Sequence, residues 1–182
     1  VAVYIFIERF LAVQRALKGK SDFMNQINTF VTEGKLDAAK QLCQSTDNPI
    51  ARMVEKGLNR IGKPMKDITT SIENVGKIEI YNLEKNLSLL ATISGAAPMI
   101  GFLGTVTGMI QAFISIAEEE GAVSPKLLSS GIYEAMLTTA AGLFVGIIAY
   151  LSYNYLVSRV EKLIHKMEYT TIEFIETLQS KK

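Results

Sequence analysis

The chain has 182 residues, a formal net charge of +1 and a single cysteine, and 48% of its residues are hydrophobic. One cysteine excludes an internal disulfide bond and a cysteine-based metal site, and the absence of a dense Lys/Arg run gives no support to nucleic-acid binding. The apolar residues are concentrated in long blocks, which favours a membrane protein over a soluble domain with a globular core.

The first predicted element is the apolar stretch 1–7, which meets a charged region at Glu8 and Arg9. This stretch is too short to cross a bilayer, so we expect it to be the C-terminal end of a truncated first transmembrane helix. Residues 8–86 then show helical spacing of apolar positions, broken at Gly34 and Pro49. They are predicted to form a small cytoplasmic helical bundle, whose last helix runs without a break into the membrane.

Two further transmembrane helices are predicted at residues 87–117 and 131–158. No charged residue lies between Lys85 and Glu118, and only Glu134 lies between Lys126 and Arg159. Each block exceeds the roughly 20 residues that a helix needs to cross a bilayer. The sequence therefore predicts an all-α membrane protein with three transmembrane helices, the first of them truncated in this chain.

The distribution of basic residues predicts the orientation. All Lys and Arg residues except Lys126 lie before Asn86 or after Ser158. Because basic residues mark the cytoplasmic side of a membrane, we expect residues 8–86 and 159–182 in the cytoplasm and the acidic loop 118–130 in the periplasm. The chain would be a multi-pass protein of the bacterial inner membrane. The helices of the second and third spans both extend far into the cytoplasm, and a coiled coil is an alternative for the tail.

Glu134 is the sharpest single feature, because an ionisable side chain within a membrane span costs roughly 3 kcal/mol and is usually retained for function. An interfacial or packing glutamate is the alternative interpretation. Thr138 and Thr139 follow it by about one helical turn. Ser94 and Thr105 occupy a similar polar stripe on the preceding span, so Ser94 and Thr138 are candidate pore-facing residues.

Small residues accompany both polar stripes and allow helices to approach closely. The residues predicted to serve helix packing are Pro98, Gly101, Gly104, Gly108, Gly142 and Gly146. For any isolated threonine in such a helix, a hydrogen bond to a carbonyl one turn earlier is the plainer interpretation. A carboxylate and several hydroxyls cannot face hydrocarbon, however, so the stripes predict oligomerisation, a partner helix, or both.

The segment Ala97–Gly108, with the sequence APMIGFLGTVTG, closely resembles the second-span signature of the MotA/TolQ/ExbB proton channel family. The segment Gly131–Leu143, GIYEAMLTTAAGL, is similar to the third-span signature of that family. The resemblance is nearer to the three-span ExbB and TolQ branch than to the flagellar branch. Two departures are Tyr133, where a small residue is usual, and Ile148, where a proline is common.

The resemblance implies a homopentamer that encloses the membrane helices of an ExbD- or TolR-like partner, whose aspartate carries the proton. It assigns Thr105 and Thr139 to pore-facing threonines and Glu134 to the third-span glutamate of a proton pathway. Proton flow would drive a motor complex that acts through a TonB- or TolA-like protein in ion-driven biopolymer or protein transport, envelope maintenance or motility. Membrane lipid would be the remaining partner.

The sequence predicts no enzyme activity, catalytic residue, cofactor or metal site. The run Gly101-x-x-Gly104-x-x-x-Gly108 lacks the preceding strand and the lysine of a nucleotide-binding loop. A secondary transporter would need more spans or internal repeats. A structural membrane scaffold, in which the polar stripes only assemble the complex and provide no proton pathway, is the alternative that the sequence leaves open.

Overall fold

The computed structural model describes residues 1–17, 22–118 and 125–180, and every regular element in these ranges is an α-helix. The helices are α1 (Ala2–Leu17), α2 (Phe23–Thr32), α3 (Leu36–Gln44), α4 (Pro49–Leu58), α5 (Met65–Glu84), α6 (Leu87–Glu118) and α7 (Pro125–Ser180). The chain divides into two compact units. We call Val1–Phe6 with Asn86–Tyr155 the apolar unit, and Ile7–Lys85 with Leu156–Lys182 the bundle unit.

Local sequence determines where the helices of the bundle unit begin and end. Gly34 has a positive φ of 78° after α2, and Lys35 N–H bonds to the Phe30 carbonyl at 2.9 Å, which terminates that helix. Helix α4 begins with Pro49 directly after Asn48, whose side-chain oxygen accepts a hydrogen bond from Ala51 N–H at 2.6 Å. These are the helix boundaries that Gly34 and Pro49 predicted.

The bundle unit has an apolar core in which α2 to α5 and the C-terminal part of α7 take part. Its fully buried side chains include Ile27, Val31, Leu58, Ile72, Leu156, Val160, Leu163, Met167 and Phe174. Helix α4 lies close to its neighbours at Gly57, where an added Cβ would lie 2.6 Å from Cε1 of Phe174. A side chain at this position would therefore force the Phe174 and Ile72 side chains to move.

One ion-pair cluster in the bundle unit is partly withdrawn from water. The Arg52 guanidinium donates to both carboxylate oxygens of Glu79, each at 2.7 Å, and to Asp47 at 2.7 Å. The Glu79 side chain is only 11% exposed. Hydrogen bonding to Glu79 is the main cause that raises the pKa of Arg52 above its ordinary value. The pair therefore compensates the burial of a charge between α4 and α5.

The structure differs from the sequence prediction at the junction before α6. A continuous helix was expected from residue 64 into the membrane, but α5 ends at Glu84 and α6 begins at Leu87. Asn86 has a positive φ of 65°, a conformation that Asn tolerates better than most residues. The prediction of an unbroken helix was wrong because Asn carries no strong helix-breaking signal in sequence.

Helix α7 starts earlier than the predicted third span. The expected periplasmic loop covers 118–130, yet residues from Pro125 onward are helical, and residues 119–124 lie outside the described ranges. Proline is favoured at the first position of a helix, which is consistent with this start. Glu134 consequently lies about 13 Å along the axis from the helix start. Residues 2–17 form the single helix α1, which includes the stretch 1–7 from Ala2 onward. That this stretch is the end of a truncated first span stays a prediction.

Two stretches are long and apolar enough to cross a membrane, namely Met65–Ala117, which includes α5 and α6 on either side of the break at Asn86, and Ser129–Ser180 within α7. Only 11% and 22% of their most apolar windows are buried. Large side chains on both helices are exposed, among them Met99, Phe102, Phe113, Met136, Phe144 and Leu151. An exposed apolar surface of this extent is typical of contact with lipid or with other membrane helices. The all-α membrane-type fold predicted from sequence is therefore consistent with the structure.

Candidate functional site

Helices α6 and α7 of the apolar unit pack against each other in antiparallel orientation through small residues. A Cβ added to Gly142 would lie 2.6 Å from the Ala97 carbonyl oxygen and 2.8 Å from Cα of Gly101. A Cβ added to Gly146 would lie 2.6 Å from Cγ of Pro98. Because the nearest atoms to Gly142 belong to backbone, even an alanine there would have to push the helices apart.

The same close approach continues toward the end of α6. A Cβ at Gly108 would lie 3.0 Å from Cβ of Ala135, and one at Gly131 would lie 2.7 Å from Cβ of Ala112. Gly104 lies against Thr138, whose Cβ would be 2.8 Å from an added Cβ. The six residues predicted to serve helix packing all lie along this interface between α6 and α7.

Thr105 and Thr139 face each other in the middle of the interface, and their hydroxyl groups form a hydrogen bond. The Thr139 hydroxyl also donates to the carbonyl of Gly101 at 3.0 Å. The Thr105 hydroxyl lies 3.2 Å from the carbonyl of Ala135 and 3.4 Å from that of Gly101. Both side chains are half-buried. We call this arrangement the threonine pair.

The chemistry of the threonine pair follows from its acceptors. Each hydroxyl has one proton, and within the pair every other partner is a backbone carbonyl, which accepts a hydrogen bond but does not pass on a proton. The Thr138 hydroxyl likewise donates to the Ala135 carbonyl, at 2.7 Å. The pair can therefore solvate a nearby charge or reorient toward water or a carboxylate, but these contacts alone form no continuous proton wire.

Glu134 lies in a polar groove next to the threonine pair, with a volume of about 680 Å³. The groove is lined by Gly104, Thr107, Gly108, Gln111, Ala112, Ser115, Ser130, Gly131, Glu134 and Thr138. Thr138 and Glu134 are exposed, whereas Thr139 is turned into the helix interface. Thr138 and Thr139, which the sequence placed on one side of the helix, thus lie in different environments: Thr138 lines the groove and Thr139 lies in the helix interface.

The sequence reasoning missed four polar residues of the groove, namely Thr107, Gln111, Ser115 and Ser130. A signal for them exists, because Thr107, Gln111 and Ser115 are spaced by four residues and share a helix face. Ser130 precedes Glu134 by the same interval. The predicted stripe on α6 followed Ser94, Gly101 and Thr105 and left this adjacent face out.

Ser94 lies away from the threonine pair. Its hydroxyl donates to the Ala91 carbonyl of its own helix at 2.7 Å. Its carbonyl loses the usual helix partner, because Pro98 four residues later has no N–H, and it lies against Gly146. The structure therefore brings Thr105 and Thr139 together, with Glu134 and Thr138 in the groove beside them. Ser94 instead lies at the contact of α6 with Gly146 of α7.

Among residues 1–17, 22–118 and 125–180, no group of three or more His, Cys, Asp or Glu side chains could hold a metal ion. Cys43 is buried in the bundle unit, and burial raises the pKa of its thiol to about 12, with a smaller contribution from Glu55. His165 pairs with Glu168 at 3.3 Å on an exposed surface of α7.

Comparison with known proteins matches residues 45–169 to the model of the MotA/TolQ/ExbB proton channel family. An ExbB biopolymer transport protein homologue of Methanothermobacter thermautotrophicus is 31% identical over 135 residues, which cover 74% of this chain and 47% of that protein. The Tol-Pal system protein TolQ of Haemophilus influenzae is 40% identical over 82 residues, 45% of this chain and 36% of TolQ. The biopolymer transport protein ExbB of Neisseria meningitidis is 26% identical over 166 residues, 84% of this chain and 74% of ExbB.

The chain spans less than half the length of the first two of these relatives. The relatives carry the names ExbB and TolQ, which confirms the branch that the two sequence signatures predicted. The matched region includes the glycine-lined interface, the threonine pair and Glu134. On this ground the chain belongs to the MotA/TolQ/ExbB proton channel family, in its ExbB/TolQ branch.

Proposed function

We propose that this chain is an inner-membrane subunit of a motor driven by the proton-motive force. It assembles as a homo-oligomer, a pentamer by its resemblance, around an ExbD- or TolR-like single-span partner. The assembly conducts protons and transmits work through a TonB- or TolA-like protein to outer-membrane transport or envelope maintenance. Support comes from family membership and from the names of the relatives, which refer to biopolymer transport and to the Tol-Pal system.

The charge distribution supports a multi-pass topology for this function. Residues 8–86 and 159–182 carry nearly all basic residues, which favours the cytoplasm for both. Residues 118–130 include three consecutive glutamates and belong in the periplasm under this proposal. The threonine pair then lies within the membrane, between the two faces across which the proton gradient acts.

The observation that carries the proposal is the threonine pair with Glu134 in the groove beside it. Two hydroxyls meet between α6 and α7 and a carboxylate lines the adjoining groove, in a unit with many large apolar side chains exposed. A partner carboxylate reaching this level would replace a carbonyl as acceptor of one threonine hydroxyl. The threonine pair would thereby stabilise the ionised carboxylate of the partner and would release this carboxylate when it takes up a proton. Protonation of the partner would in this way change the contacts between helices.

A structural scaffold without a proton pathway is the second candidate, and one observation favours it. The hydroxyls of Thr105, Thr138 and Thr139 all have backbone carbonyls as acceptors, and the Thr139 bond to Gly101 joins the two helices. Such bonds can tighten helix contact without any role in proton movement. The two candidates differ in what removal of a hydroxyl does to an assembled complex.

Thr139→Val tests the proposal, because valine keeps the shape of threonine and removes the hydroxyl. Thr92→Val on α6 is the matched control, since the exposed Thr92 donates only to Ser88 of its own helix. Each variant is expressed in full length with the partner proteins. Assembly is measured by co-purification with the single-span partner, and function by energy-dependent uptake or resistance to envelope stress.

We expect Thr139→Val to assemble normally and to lose most of the proton-dependent function, and Thr92→Val to behave like the parent. If Thr139→Val assembles normally and keeps full function, the proton-path role of the pair is wrong. If function falls only in proportion to assembly, the scaffold candidate is correct. Thr105→Val is expected to repeat the result from the other side of the pair.

A further inference from the structure

The groove beside Glu134 has two polar walls of the same design. Thr107, Gln111 and Ser115 form one wall on α6, and Ser130, Glu134 and Thr138 form the other on α7. Successive members of each wall are four residues apart and therefore lie one helical turn from each other. Small residues form the floor, including Gly108 and Ala112.

Several polar groups of these walls keep hydrogen-bonding capacity that residues 1–17, 22–118 and 125–180 do not use. The hydroxyls of Thr107, Ser115 and Thr138 donate to carbonyls of their own helices, at 3.0, 3.0 and 2.7 Å, so their lone pairs remain available. The Gln111 amide and the Glu134 carboxylate make no hydrogen bond to the part of the chain that the structure describes. Hydrogen-bonding groups with unused donor or acceptor capacity thus recur along about two turns of each helix.

The groove leads toward the threonine pair at its inner end. Thr138, its innermost polar residue, donates to the Ala135 carbonyl, whose oxygen lies 3.2 Å from the Thr105 hydroxyl oxygen. Ser115 and Ser130 mark the opposite end, next to the predicted periplasmic loop. The groove volume of about 680 Å³ is far larger than a single water molecule needs.

We propose that this groove is the hydrated periplasmic access limb of the proton path, and that Gln111 is a positioning residue for its water. This inference rests on the proposed function and adds the route by which protons reach the threonine pair. Water is the occupant we propose because both walls offer separate hydrogen-bonding groups at each helical turn, which water satisfies better than an apolar side chain. The Gln111 amide both donates and accepts, so it can fix water opposite Glu134 without titrating.

Accessibility to an aqueous reagent tests the groove without reference to proton flow. The chain has one cysteine, Cys43, so a Cys43→Ala parent permits single-cysteine variants. Gln111→Cys is compared with Ile110→Cys, because Ile110 is exposed on the subunit, does not line the groove and lies at the same depth within one residue. Full-length chains assembled with their partner in membranes are treated with a negatively charged, membrane-impermeant methanethiosulfonate from the periplasmic side.

We expect Gln111→Cys to react at least about tenfold faster than Ile110→Cys, because only a thiol in contact with water forms the reactive thiolate. Equal, slow reaction of both overturns the hydrated groove. Reaction at Gln111→Cys only when the partner is absent also overturns it, and would mean that the partner helix fills the groove. The outcome is independent of the Thr139→Val result, so failure of either proposal is visible separately.

Gln111→Leu tests the positioning role, since leucine keeps a similar volume and removes the amide. We expect the proton flux of the reconstituted complex to fall about three- to tenfold, the range for loss of one hydrogen bond, with normal assembly. Gln111→Asn, which retains the amide, should recover part of that flux. A Gln111→Leu complex with unchanged flux, or an Asn variant no better than the Leu variant, refutes the positioning role.

Discussion

Substitution of Gly142 by alanine probes the contact on which the threonine pair depends. The new Cβ would lie 2.6 Å from the Ala97 oxygen and 2.8 Å from Cα of Gly101, both backbone atoms. Ordinary contacts require about 3.5 Å, so the helices must separate by nearly 1 Å at this level. The bond from Thr139 to the Gly101 carbonyl, now 3.0 Å, would then stretch to about 4 Å and cease to be a hydrogen bond.

The expected cost of Gly142→Ala is about 1–3 kcal/mol for the steric conflict and about 1 kcal/mol for the lost hydrogen bond. Gly95→Ala on the facing helix α6 is the matched control, because nothing lies within 4 Å of a Cβ added to Gly95. Scanning calorimetry of the purified complex in nanodiscs should show a transition lowered by several degrees for Gly142→Ala. Gly95→Ala should leave it unchanged or raise it slightly, since alanine favours helix over glycine. Equal transitions for the two variants would refute the close contact of α6 with α7.

Two further predictions concern the bundle unit. Arg52→Met leaves the buried Glu79 carboxylate without its partner and should speed amide hydrogen exchange in α4 and α5, by the equivalent of about 1–3 kcal/mol. Lys35→Met, which removes an exposed pair with Glu33, should change exchange by less than about 0.5 kcal/mol, and similar effects of both would contradict the burial argument. Cys43, with a thiol pKa raised to about 12, should be alkylated at pH 8 roughly 1,000-fold more slowly in the native complex than in the denatured chain. Its rate should rise with pH as the thiolate fraction grows, and rapid alkylation of the native complex at pH 8 would contradict burial.

Much of the helical pattern could be predicted from sequence because its determinants are local. Gly34 and the pair Asn48–Pro49 end and restart helices through backbone conformation and capping, and both act where expected. The break at Asn86 could not be predicted in this way. Asn is tolerated in both helical and left-handed conformations, so tertiary contacts decide which of them it adopts.

The residues of the site could be predicted more readily than their arrangement. Thr105, Glu134 and Thr139 follow from polarity within apolar blocks and from the family signatures. Their mutual contacts depend on the register between two antiparallel helices, which no local pattern specifies. Thr138 and Thr139 illustrate this dependence on register. They are adjacent in sequence, yet Thr138 lines the groove whereas Thr139 lies in the interface with α6.

The polar residues Gln111 and Ser115 illustrate a second reason for what sequence analysis missed. A glutamine or serine in an apolar helix is not by itself informative, since a hydroxyl can bond to its own helix as Ser115 does to Gln111. Only the opposite wall, with Ser130 and Glu134, turns them into one side of a groove. The information therefore lies in the pairing of α6 with α7.

Proton flux through the reconstituted complex tests the central claim most directly. Full-length chain and the proposed single-span partner are placed in liposomes with an internal pH dye, and proton uptake is driven by a potassium diffusion potential. The account predicts that the parent and Thr92→Val conduct at equal rates and that Thr139→Val loses most of the parent's proton flux. Undiminished flux through an intact Thr139→Val complex would contradict a proton path at the threonine pair.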